Sequence, residues 1–196
     1  MRLLFATNNP HKVREVINIL PSSFILLSLK DVDFSGELPE TGFTIKSNAS
    51  QKASYVFEKF GMECFADDTG LEVFALNGRP GVYSARFAGP EANASENIKK
   101  LLIELKEVSD RRAVFRTVIS LFIDQKEYFF EGHIDGVITE EPRGIGGFGY
   151  DPVFLPVGSK KTFSEMEEEE KNVISHRGIA IKKLSYFLSE RVKMKF

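Results

Sequence analysis

Apolar residues recur along this chain in two rhythms. Val13, Val16, Ile17 and Leu20 fall at helical spacing, and so do Ile45, Ala49, Ala53, Val56, Phe57 and Phe60. Asn9 followed by Pro10 reads as the N-cap and first position of the earlier helix, and Gly61 closes the later one. Residues 95–107 carry Ile98, Leu101, Leu102 and Leu105 on one face. Ser175 reads as the N-cap of a last helix that turns Ala180, Ile181, Leu184, Phe187 and Leu188 inward. Short apolar runs predict strands at 2–6, 24–29, 63–66 and 71–76. The runs 113–123 and 127–138, joined by Asp124, Gln125 and Lys126, predict an antiparallel hairpin. This mixture of elements predicts an α/β or α+β fold with a mixed sheet.

Loops fall where glycine, proline and charge gather. Residues 31–42 are polar and hold Gly36, Pro39 and Gly42, and residues 142–156 form a structured glycine- and proline-rich loop. The acidic run 167–170 reads as a solvated face. No repeat or linker divides the chain. Its 196 residues, 42% hydrophobic, suit one domain over 1–196, or two small lobes sharing a sheet.

Charge and cysteine usage narrow the function. A net charge of −2 leaves no global basic field for a nucleic-acid backbone, while a small anion needs only a local positive cluster. The single cysteine, Cys64, sits in an apolar run and reads as a buried thiol, in keeping with a reducing cytoplasm. No run approaches the roughly 20 apolar residues of a membrane span, and the N-terminus turns polar too soon for a signal peptide. One cysteine and three scattered histidines suggest no zinc site.

Four constellations could carry chemistry. Thr7, Asn8 and Asn9 lead from a strand into a helix start whose free amides favour phosphate, and Lys12 adds a charge in its first turn. Asp67-Asp68-Thr69-Gly70 places two carboxylates after an apolar strand, where alternation points them different ways: one to hold a metal, one to brace the loop. Glu40 is a second candidate ligand, since Mg²⁺ is usually held by carboxylates together with substrate phosphates. Gly144, Gly146 and Gly149 spell a dinucleotide fingerprint, but Asp151-Pro152 follows where a helix should start, so a loop presenting Phe148 and Tyr150 to a flat base is the better reading. Lys171, His176 and Arg177 gather positive charge around the last helix start, against its dipole, and are placed to donate to a keto oxygen.

In this order, Thr7-Asn8-Asn9 with Lys12, the Asp67–Leu71 stretch, Pro80-Gly81-Val82-Tyr83-Ser84-Ala85-Arg86, Gly147-Phe148-Gly149-Tyr150-Asp151-Pro152 and Ser175-His176-Arg177 resemble the inosine/xanthosine triphosphate pyrophosphatase family. The resemblance runs from the first strand to the last helix. It implies an elongated mixed sheet flanked by helices, two lobes around a nucleotide-binding cleft, a cytoplasmic homodimer and Mg²⁺. It implies that Thr7, Asn8, Asn9 and Lys12 bind the triphosphate and that Glu40 and Asp68 hold the metal, with Asp68 as general base. Thr69 is then a substrate contact where relatives often carry Ser. Phe148, Gly149, Tyr150, Asp151, Lys171, His176 and Arg177 are then the base-binding residues. Three other readings stay open: a nucleotide-binding module without turnover, a dimeric aspartic protease built on Asp68-Thr69-Gly70, and a septum-inhibitor-like nucleotide pyrophosphatase.

Overall fold

The computed structural model describes residues 1–193. Seven strands form one mixed sheet: β1 (Arg2–Phe5), β2 (Ile25–Ser28), β3 (Cys64–Val73), β4 (Pro80–Gly81), β5 (Arg112–Ile123), β6 (Lys126–Ile138) and β7 (Phe154–Pro156). Their order is β2-β1-β3-β5-β6-β7, with β4 beside β3. Among the described residues five α-helices accompany the sheet: α1 (Pro10–Ile19), α2 (Ile45–Phe60), α3 (Ala94–Glu104), α4 (Glu168–Ile174) and α5 (His176–Lys193). Among the described residues no helix is long and apolar enough to cross a membrane.

By its internal contacts the chain forms two compact units, and it crosses between them several times. The first holds residues 1–68, 117–132 and the described residues from 177 on. In it β1 pairs parallel with β2 and with the start of β3, placing Leu4 beside Cys64 and Phe5 beside Phe65. One core of this unit joins Leu3, Phe5, Phe65 and Ile119 to Ala180, Ile181, Leu184 and Leu188 of α5. Another joins Leu4, Ala6, Cys64 and Ala66 to Ala53 and Val56 of α2. The second unit holds residues 69–116 and 133–176. Its core packs Leu71, Val73, Phe115, Phe154 and Phe163 against Ile98, Leu101 and Leu105 of α3.

The local signals explain most element ends. Asn9 caps α1 by accepting from the His11 and Lys12 amides, with Pro10 at the first position. Gly61 ends α2 at φ +62°. The β5–β6 turn needs only Asp124 and Gln125, both at positive φ as a tight hairpin requires. Other signals misled in part. Strand β3 runs unbroken through Asp67–Gly70, and residues 74–76 are a 3-10 turn. The acidic run is exposed, as a solvated face should be, and also starts α4, where negative charge suits the helix dipole; Lys171, read beside the start of α5, lies in the last turn of α4. Ser175 is extended and directly precedes α5, the position read for it as an N-cap. On α1, Ile17 is exposed and Glu15 is buried instead.

Candidate active site

The first unit gathers its charge around two consecutive aspartates. Both are buried, Asp67 at 1% and Asp68 at 8% exposure. Alternation along β3 sends their carboxylates to different partners. Asp67 accepts from Lys12 Nζ at 3.0 Å and from Arg177 Nε at 3.0 Å. The same guanidinium reaches Glu15 through its second arm. Asp68 accepts from Lys52 Nζ at 3.2 Å on Oδ1 and from Asn48 Nδ2 at 3.3 Å on Oδ2. Lys52 also donates to Glu40 at 2.5 Å, so one ammonium lies between the two carboxylates. Asn8, which is exposed, donates to Gly36 O at 3.0 Å and ties the first loop to the 36–44 segment. Thr7 is buried, and its Oγ1 accepts from the Asn9 amide.

These surroundings drive the two acids apart. Burial raises the Asp67 carboxyl, but Lys12, Arg177 and Lys52 overcome it and hold the group well below the usual carboxylate range. Burial also raises Asp68, and there it prevails over Lys52 and Lys12, so Asp68 lies above its ordinary value of 3.8. Two neighbouring carboxylates with opposite shifts suit a fixed anion beside a proton acceptor.

The second unit holds another group. Tyr150 is buried and its hydroxyl donates to Ser84 O at 2.9 Å, while Phe148 is half-buried. Asp151 accepts from the Phe148 amide at 2.8 Å and from Lys171 Nζ at 2.6 Å. That ammonium also lies 4.7 Å from the Phe148 ring centre. Gly149 takes φ +62°, which lets the loop turn between the two aromatic rings. His176 is buried and stacks on Phe115, with ring centres 4.6 Å apart. Thr69, half-buried, is the first residue of this unit.

The structure thus brings Thr7, Asn9, Lys12, Glu40 and Asp68 into one unit, and Thr69, Phe148, Gly149, Tyr150, Asp151, Lys171 and His176 into the other. Arg177, grouped by the sequence with His176, has its guanidinium among the carboxylates of Asp67 and Glu15. Three contributors were not read from the sequence: Glu15, Asn48 and Lys52. Lys52 did carry a signal, since it interrupts the apolar stripe of Ile45, Ala49, Ala53 and Val56 three residues after Ala49. A lysine there must be paired or expose a polar stripe.

Among the described residues no three acidic, histidine or cysteine side chains come together to hold a metal by themselves. Glu40 and Asp68 nonetheless share one cation, the Lys52 ammonium. That donor set fits Mg²⁺, which commonly takes one or two carboxylates and completes its shell with water and substrate phosphates. It does not fit an aspartic-protease dyad, which needs two aspartates sharing a proton, because Lys52 and Asn48 occupy the Asp68 oxygens.

A mixed sheet with flanking helices, a capped helix start beside buried lysines, and paired carboxylates define an α/β protein equipped for a phosphorylated ligand. Residues 3–187 match the model of the Ham1 family, and the chain belongs to that family. It is 52% identical to a dITP/XTP pyrophosphatase of Christiangramia forsetii, over 97% of this chain and 100% of that one. It is 46% identical to the dITP/XTP pyrophosphatase of Bacillus subtilis, over 94% and 96%. The solved Ham1 protein of Staphylococcus aureus superposes with a TM-score of 0.89 at 38% identity, covering 97% of this chain and 100% of that one.

Proposed function

We propose that this chain hydrolyses deaminated purine nucleoside triphosphates, such as ITP, dITP and XTP, to the monophosphate and pyrophosphate, and so clears them from the nucleotide pool. The carrying observation is the pair of consecutive buried aspartates, one held as an anion by Lys12 and Arg177 and the other raised above its ordinary value beside Lys52. A module that only binds anions needs the lysines but not a carboxylate poised to accept a proton. The relatives named dITP/XTP pyrophosphatase support the choice of substrate.

In this reading the amides at the start of α1, with Thr7, Asn8, Asn9 and Lys12, take the triphosphate. Asp68, buried beside Lys52 and Asn48, accepts the proton of the attacking water. Glu40 and Asp68 would hold Mg²⁺, which would supply positive charge against the phosphates and the pyrophosphate leaving group. Thr69 contacts the substrate, and Phe148, Gly149, Tyr150, Asp151, Lys171, His176 and Arg177 take the base. Hypoxanthine and xanthine offer a 6-keto acceptor where adenine offers a donor. A site built of donors therefore rejects adenine, because its own groups would be left buried and unmet. The working form in this proposal is a homodimer, which sedimentation equilibrium would test.

The deciding experiment supplies Mg²⁺ with ITP, XTP, GTP or ATP and measures pyrophosphate and orthophosphate separately. Pyrophosphate mainly from ITP and XTP is expected; orthophosphate would mean a different scissile bond and sink the reading. Attack at the α- or the β-phosphorus gives the same products, and ¹⁸O-labelled water separates them: label only in pyrophosphate excludes attack at the α-phosphorus.

A further inference from the structure

We infer that Asn48 is a positioning residue that registers the loop carrying Glu40 against the Asp68 carboxylate. The inference rests on the pyrophosphatase reading for what Asp68 does, and on geometry for the rest. Asn48 is 1% exposed, and its side-chain amide bridges two segments. Its Oδ1 accepts from the Gly42 amide at 2.8 Å, and its Nδ2 donates to Asp68 Oδ2 at 3.3 Å. One helical turn later, Lys52 bridges the same two segments through Glu40 and Asp68 Oδ1. Helix α2 therefore presents two jaws, each touching both the 40–42 segment and Asp68.

The jaws differ in kind. Lys52 is a cation, so an incoming phosphate competes with Glu40 and Asp68 for it. Asn48 is neutral and has no such competitor, so its two bonds keep the register while charge in the site changes. Gly42 is fitted to this contact: a Cβ there would lie 2.9 Å from Asn48 Oδ1 and 2.1 Å from Ser47 Oγ. Other ties of the loop, from Asn8 to Gly36, between Thr41 and Gln51 and between Thr44 and Ser47, do not involve Asp68. Among the described residues only Asn48 joins this loop to Asp68 without a charge.

Two variants separate the bonds. Asn48→Asp keeps the acceptor for Gly42 and removes the donor to Asp68, whereas Asn48→Ala removes both. Amide hydrogen exchange at Gly42 is measured by NMR without nucleotide, and kcat and KM for ITP are measured on protein whose folded fraction is known. In both variants kcat is expected to fall at least about tenfold with KM held within about twofold, as for an interaction expressed mainly in the transition state. Gly42 exchange should rise in Asn48→Ala and stay low in Asn48→Asp. A folded Asn48→Asp with wild-type kcat would overturn the inference, as would an Asn48→Ala whose Gly42 amide stays protected. If Asn48→Ala does not fold, Asn48→Asp decides alone. Wild-type protein without pyrophosphate release would instead sink the pyrophosphatase reading, and Gly42 exchange would then decide the clamp by itself.

Discussion

Asp67 and Asp68 are consecutive on β3 and hold different cations, Lys12 and Arg177 on one side and Lys52 on the other. In the proposed function the first carboxylate belongs to the framework and the second takes the proton.

Their amide variants should therefore fail in opposite ways. Asp67→Asn takes a carboxylate from the buried Arg177 and is expected to cost about 3–5 kcal/mol, the usual cost of breaking a buried ion pair. Asp68→Asn is expected to lose activity by about 10²–10⁴-fold while unfolding near the wild-type denaturant midpoint. Guanidinium unfolding and single-turnover kinetics on both variants separate the roles. Equal stability losses would erase the distinction.

The same pair sets a pH dependence. The Asp67 carboxyl lies below its ordinary value of 3.8 when folded and near that value when unfolded. Its stabilisation is thus complete above that value and is lost as acid protonates the unfolded chain first and then the folded one. Between about pH 6 and pH 3 the wild type should lose more stability than Asp67→Asn, and parallel urea midpoints over that range would contradict the argument.

Lys12 should act on phosphate rather than on base. Lys12→Met is expected to raise KM for ITP at least about tenfold and to weaken inhibition by pyrophosphate, each tenfold being about 1.4 kcal/mol. Inhibition by the monophosphate should hardly change. Equal weakening of both inhibitors would move Lys12 off the triphosphate.

Phe148 and Tyr150 are two residues apart and should separate as well. Tyr150→Phe removes the hydroxyl bond to Ser84 O and is expected to cost about 0.5–1.5 kcal/mol of stability, with KM unchanged. Phe148→Ala, at a half-buried ring beside Lys171, is expected to raise KM for ITP with little effect on stability. A rise in KM for Tyr150→Phe would mean that its hydroxyl, and not its ring alone, serves the base.

What could be read from the sequence follows the range of the forces involved. Caps, glycine stops and alternation are local, so Asn9, Gly61 and the divergence of Asp67 from Asp68 were legible. Pairing across the fold is not local. Glu15 and Arg177 are 162 residues apart, and nothing within either helix marks them as partners. Residues 67–70 look like a polar turn because polarity usually means solvent, whereas here lysines and an arginine from elsewhere in the chain let them continue as buried strand. Lys171 misled for the same reason, since its partner Asp151 lies 20 residues away.

The first unit is completed from far along the sequence: residues 1–68 begin it, and α5 fills its core. A ribosome makes these ends in order, so strand β1 must wait for α5 before its core is filled by Ala180, Ile181, Leu184 and Leu188. Asp67, too, lacks Arg177 until the chain has been made past residue 177, 110 residues later. A nascent chain therefore has no finished carboxylate centre to expose to the cell's nucleotides, and a prematurely terminated one never acquires it.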